Sequence, residues 1–135
     1  MRKRIAVIAT TAVVIASAVM MLSAMPSDNI ITKEEGMDVV NTTSLSKNVT
    51  GYIGTTPLKI YIKRNKVVKI VALRNQESPK YFAMVKKQLL DKWNGLTLKQ
   101  ASKQKVDAVT GATYSSNAVI KNVQLGLDYY QKKSK

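Results

Sequence analysis

The 135-residue sequence contains no cysteine and no histidine. The first absence excludes disulfides, thiolate metal sites, thiol nucleophiles and a lipidated cysteine anchor. The second removes the usual zinc ligand and the commonest general base, so a hydrolase would have to work without the most frequent catalytic residue. Acids are scarce too: 8 Asp and Glu stand against 22 Lys and Arg, a formal net charge of +14 at pH 7. Such a balance favours anionic partners, namely lipid headgroups, nucleic acid or an acidic protein, with a solvated lysine-rich surface as the plain alternative. Aromatic residues make up only 6% of the chain, and no aromatic face is interleaved with the basic residues. That argues against a nucleic-acid groove. Neither an internal repeat nor a Rossmann-type glycine-rich loop is present.

What is present starts with Arg2-Lys3-Arg4 and an uncharged run of 21 residues, Ile5 to Met25, rich in Ala, Val, Ile and Met. As a helix this run would span roughly 31 Å, about the thickness of a hydrocarbon core. It reads as an uncleaved signal-anchor, with Ala16-Ser17-Ala18 and Ser23-Ala24 as sites at which a signal peptidase would instead release the chain. On either reading the basic end stays inside and everything after Met25 is exported. Residues 26–48 are polar and read as a spacer, with one short helix around Lys33–Val40. Residues 49–135 form the expected domain. From Val49 onward there are 17 Lys and Arg against 4 Asp and Glu, so an excess of 13 belongs to the domain and not to the leader.

The domain's patterns predict an α+β fold: a small antiparallel sheet packed with two main helices, after the N-terminal membrane segment. Leu58, Ile60 and Ile62 alternate with Lys59, Tyr61 and Lys63, the period of a half-buried strand. Arg64-Asn65-Lys66 makes a hairpin connection to a second, more buried strand, Val67–Leu73. Gly51-Tyr52-Ile53-Gly54 and Pro57 suggest a short edge strand and a turn before this pair. Pro79 suits the first turn of a helix, which Tyr81, Phe82, Val85, Leu89 and Trp93 carry to a stop at Asn94-Gly95. Tyr81 and Trp93 are expected in the core. Residues 96–106 are too polar to assign. Val119, Ile120, Val123, Leu127 and Tyr130 mark a closing amphipathic helix, with Ser115, Ser116 or Asn117 as its cap.

Just before that helix lies Asp107-Ala108-Val109-Thr110-Gly111-Ala112-Thr113-Tyr114-Ser115-Ser116. Hydroxyls beside free backbone N–H groups at a helix start make a site for a phosphate, and Gly111 lets backbone approach a bulky ligand. A turn followed by a cap is the bland account of the same residues. The spacing Asp-x-x-(Ser/Thr)-Gly-Ala-Thr arises by chance in roughly one chain of this length in several thousand. It resembles the signature of the FMN-binding domain found in the flavin-carrying subunits of sodium-pumping NADH:quinone reductases and Rnf-type complexes. The similarity runs from about Val49 to Tyr130. Asn75-Gln76-Glu77-Ser78-Pro79 is similar to that family's Glu-Thr-Pro-Gly loop, with Ser78 where Thr is usual and Lys80 where Gly is usual.

The resemblance implies a covalent FMN, joined through its phosphate to Thr113 by a flavin transferase that uses FAD. It further implies that Asp107, Thr110, Gly111 and Ala112 form the sequence read by that transferase. Thr110, Ser115 and Ser116 would bind the phosphate, and Glu77, Ser78 and Pro79 would border the flavin ring. The expected protein is an exported, membrane-tethered electron carrier, not a self-sufficient oxidoreductase, with no catalytic residue and no metal of its own. It would work between a membrane-bound donor and an extracytoplasmic acceptor, without nucleic acid. The alternative is a secreted basic module binding anionic lipids or polymers, with Thr110–Thr113 only a helix cap.

Overall fold

The computed structural model describes residues 29–133. The expected membrane segment, residues 5–25, lies outside them; among the described residues no helix is long and apolar enough to cross a membrane. Four antiparallel strands run in the order β1 (Ile31–Glu34), β2 (Met37–Asn41), β3 (Leu58–Lys63) and β4 (Lys66–Ala72). Three α-helices follow, α1 (Pro79–Gln88), α2 (Leu98–Lys103) and α3 (Thr113–Lys133), with a 3-10 turn at Leu90–Trp93. The α+β architecture is as expected.

The first two strands replace the anticipated spacer and its short helix. Glu35 and Gly36 have φ of 55° and 78°, the paired left-handed residues of a tight hairpin turn whose twist suits antiparallel strands. The hairpin is a full part of the sheet. Asp38–Asn41 pair with Lys59–Ile62 in register, and Val39 and Val40 are fully buried. Each acid of this stretch faces a lysine. Glu34 meets Lys59 at 2.7 Å, Asp38 meets Lys33 at 2.6 Å and Glu35 meets Lys69 at 3.5 Å. The β3–β4 turn at Arg64-Asn65, with φ of 53° and 66°, is the hairpin the sequence predicts. Burial of its two strands is the reverse of expectation: Leu58, Ile60, Tyr61 and Ile62 are buried in β3, but only Val67 and Ile70 in β4. β4 is the last strand of the sheet, its start covered by backbone bonds from Val67 to Gly95 and Leu96. The register shift opposite Tyr61 and Ile62 leaves Val68 as an extra, exposed residue.

One face of the sheet carries Val40, Leu58, Ile60, Ile62, Val67 and Ile70 against Phe82, Val85, Leu89, Trp93, Val119, Val123 and Leu127 of the helical layer. Pro79 opens α1, but the helix ends at Gln88 and the chain tightens into the 3-10 turn before Gly95, which takes φ of 83°. The break sends Trp93 into the core and leaves Tyr81 on the surface, 2% and 46% exposed respectively. Sequence reading had placed both inside. In the stretch that was too polar to assign, Thr97 and Gln100 form a reciprocal capping box and start α2.

A polar seam crosses the interface between α3 and the sheet. Asn122 is fully buried; it accepts the Thr42 hydroxyl and donates to Ala118 O at 2.9 Å and Thr56 Oγ1 at 3.4 Å. Thr42 Oγ1 in turn accepts the Leu58 N–H at 2.9 Å. Every buried side-chain polar atom among the described residues has a partner, so the seam fixes the helix's register without leaving desolvated groups unmade.

Candidate functional site

The motif folds as a turn leading into the longest helix. Ala112 donates its N–H to Val109 O at 2.9 Å, closing a four-residue turn in which Gly111 stands third with φ of 87°. A positive φ at that position is what glycine supplies without steric cost. The helix then starts at Thr113, two residues before the expected capping serines, and Ala112 stands in the capping position. Ser116 N–H bonds Ala112 O at 2.9 Å, which leaves the amides of Thr113, Tyr114 and Ser115 without an intrahelical acceptor. Alanine offers no side-chain oxygen to take them, unlike the Ser, Thr, Asp or Asn usual at this position.

The two serines expected at a phosphate have other partners. Ser116 is fully buried and its Oγ accepts the Val109 N–H at 3.0 Å, so it pins the turn against the helix. Ser115 is buried as well and donates its hydroxyl to Glu77 Oε1. Thr110, Gly111 and Thr113 are exposed, so the motif's two threonines, unlike its serines, stand at the surface. Asp107 is exposed on the other side of the turn. It forms no ion pair among the described residues. It lines a cleft of about 680 Å³ together with Thr110, Lys87, Lys92 and Lys105.

Glu77 is the residue whose role sequence reasoning did not find. Only 4% exposed, it turns inward and not toward solvent. Its carboxylate accepts the N–H groups of Tyr52 at 2.7 Å, Ile53 at 2.7 Å and Gly54 at 2.9 Å, besides the Ser115 hydroxyl. Burial works to raise the carboxyl's pKa, but Ser115 and the three amides outweigh it and hold the group below its ordinary value. One carboxylate thus ties the 51–54 loop to the first turn of α3. The expected edge strand at 51–54 is instead this loop, closed by a single bridge between Thr50 and Thr55. Gly51 has to be glycine here, since a Cβ would lie 2.3 Å from Glu77 Oε1 and 3.1 Å from Ser115 Cα. Ser78 then stands in the capping position before Pro79, the first residue of α1, and its side chain makes no capping bond.

Thus the helix start carries two exposed threonines and three amides without an intrahelical acceptor, in a chain of strong positive charge. That donor set fits a phosphate-bearing ligand. Comparison with known families matches residues 51–128 to the FMN-binding domain. The chain belongs to the FMN-binding domain family. The match covers more than half of the sequence and takes in both the 51–54 loop and the motif, so the protein is a flavin-binding protein and its cofactor is FMN. No curated protein and no solved structure matches the chain. Among the described residues of this FMN-binding domain no group of His, Cys, Asp or Glu could hold a metal ion.

Proposed function

We propose that this FMN-binding domain carries its flavin covalently, as a phosphoester on Thr113, and relays electrons outside the cytoplasm. The observation that carries the reading is the exposed Thr113 hydroxyl on the first residue of a helix capped only by Ala112. In the attachment reaction the Thr113 oxygen would displace AMP from the FMN phosphorus of FAD. The new O–P bond forms as the pyrophosphate bond breaks, and a base of the transferase takes the hydroxyl proton. Thr110 and the amides of Thr113, Tyr114 and Ser115 would donate hydrogen bonds to the phosphodiester oxygens, whose charge the positive end of the helix dipole would favour. FMN, when bound, supplies the redox chemistry. The chain's own residues fix its position and keep it from being lost by dilution outside the cell.

Peptide mass spectrometry of protein produced with a flavin transferase should find the FMN adduct on Thr113 and lose it entirely in Thr113→Ala. An adduct that survives the substitution would move the attachment to another residue, and no adduct despite a competent transferase would reject covalent attachment.

Asp107 would be read by the transferase, since it is exposed beside the motif and unpaired among the described residues. Asp107→Ala is expected to abolish loading while moving the melting temperature little, because surface substitutions of this kind change stability by about 0.5 kcal/mol or less. Normal flavin content in a folded Asp107→Ala protein would show that the transferase does not need it. The donor would be membrane-bound, and the excess of positive charge would steer the domain toward anionic lipid or an acidic acceptor at low salt.

A further inference from the structure

Six large apolar side chains are well exposed among the described residues, and three of them, Tyr52, Ile53 and Tyr114, flank the attachment threonine. Tyr52 is 77% exposed and Tyr114 is 67% exposed, yet their ring centroids lie 6.2 Å apart with the planes tilted by 36°. Tyr114 directly follows Thr113 at the helix start. Tyr52 and Ile53 arrive from the other side, on the loop that Glu77 holds.

The construction of that loop runs against the ordinary pattern. A surface loop usually turns backbone amides to water and tucks apolar side chains under itself. Here the amides of Tyr52, Ile53 and Gly54 point inward to a buried carboxylate, which forces the Tyr52 and Ile53 side chains outward. Gly51 and Ser115 complete the clamp, as there is no space for a Cβ at Gly51. The loop therefore presents an aromatic ring at a fixed place beside Tyr114. With centroids 6.2 Å apart the rings leave no room for a third ring between them, so what they offer is an outer aromatic surface, a floor and not a slot.

We propose that Tyr52 and Tyr114 form the seat of the isoalloxazine ring of the flavin attached at Thr113, with Ile53 extending its apolar margin. The proposal rests on the attachment reading above. A planar heteroaromatic tethered at Thr113 gains stacking area on this floor, and the floor loses its exposure to water. Glu77 then acts as a positioning residue, since it holds the Tyr52 half of the floor without facing the ring.

Loaded full-length protein is compared with loaded Tyr52→Leu, Tyr114→Leu, the double leucine variant and the double phenylalanine variant. Phenol rings in contact with a flavin quench its emission and shield one face from dissolved iodide. Each leucine substitution should raise emission per attached flavin. In the double variant the iodide quenching constant should rise about twofold, because the second ring face is no longer covered by an aromatic contact. The double phenylalanine variant keeps the aromatic face and should restore the shielding. Melting temperatures should hardly move, because both side chains stand in solvent. A loaded double leucine variant with wild-type emission and iodide access would overturn the seat and leave the attachment intact. A folded double leucine variant that is not loaded would also overturn it, since the tyrosines would then serve the transferase. A wild-type Thr113 without flavin would remove the attachment reading and the seat together.

Discussion

Glu77→Ala should lower the stability of the domain by about 3 kcal/mol, more than any surface substitution, because hydrogen bonds to charged groups are individually worth about 1.5–3 kcal/mol. The loss is below the simple sum of four such bonds. The amides of an outward-facing loop can turn to water, whereas the buried Ser115 hydroxyl cannot. The effect should depend on pH in a definite direction. The native carboxyl is held below its ordinary value of 4.5, so its contribution is present in full above that value. It is lost as pH falls through the lowered native pKa. Urea midpoints of wild type and Glu77→Ala should therefore differ widely at pH 7, and the gap should narrow as pH falls below 4.5. A constant gap across that range, or no gap at neutral pH, would contradict the role assigned to the carboxylate.

Trp93→Ala should be costlier still, at about 4 kcal/mol, since truncating a buried tryptophan leaves a cavity that neighbours cannot fill. Trp93 is 2% exposed at the end of the 3-10 turn, within the cluster that also holds Val67, Leu89, Leu90 and Leu98. The informative control is Tyr81→Ala. Tyr81 shares the apolar stripe with Trp93 in the sequence but is 46% exposed, so its loss should cost under about 1 kcal/mol. Chemical denaturation of the two variants side by side measures the contrast. Equal destabilisation would mean that one continuous helix, as the apolar spacing suggests, describes this segment better than a helix broken at Leu89.

These two positions also mark where sequence patterns inform and where they stop. The alternation at Leu58–Ile62 and the heavy apolar periodicity of Val119–Leu127 each place a β-strand and a helix correctly, because each pattern exceeds the length of one turn and buries one face. The motif and the family it belongs to were readable for the same reason that Gly111 is readable: a turn of that shape excludes most other residues. The hairpin at Ile31–Asn41 was hidden by its brevity and by a Glu-Glu-Gly turn that resembles a polar linker. Only its tertiary partners, Lys59 and Lys69 for the acids and β3 for Val39 and Val40, explain it. Periodicity could not tell Tyr81 from Trp93, since the break at Leu89 is a property of packing. For Glu77 the sequence carries a loop signature but no sign that the carboxylate points inward. The signal available was Gly51, a glycine 26 residues away whose need for space becomes visible only when the two are brought together.

The hairpin has a bearing on how this molecule can be divided. The family match starts at residue 51, after β1 and β2, yet β2 is the neighbour that occupies one whole side of β3. A chain cut at the start of the match would turn β3, the most buried strand of the sheet, into a bare edge with unanswered N–H and C=O groups. Such an edge is a template for recruiting another molecule. It would also strand Asn122 without its Thr42 partner and Tyr130 without Asp38. The four-stranded sheet of this protein therefore begins at Ile31, and the twenty or so residues ahead of the family segment keep that side of β3 paired.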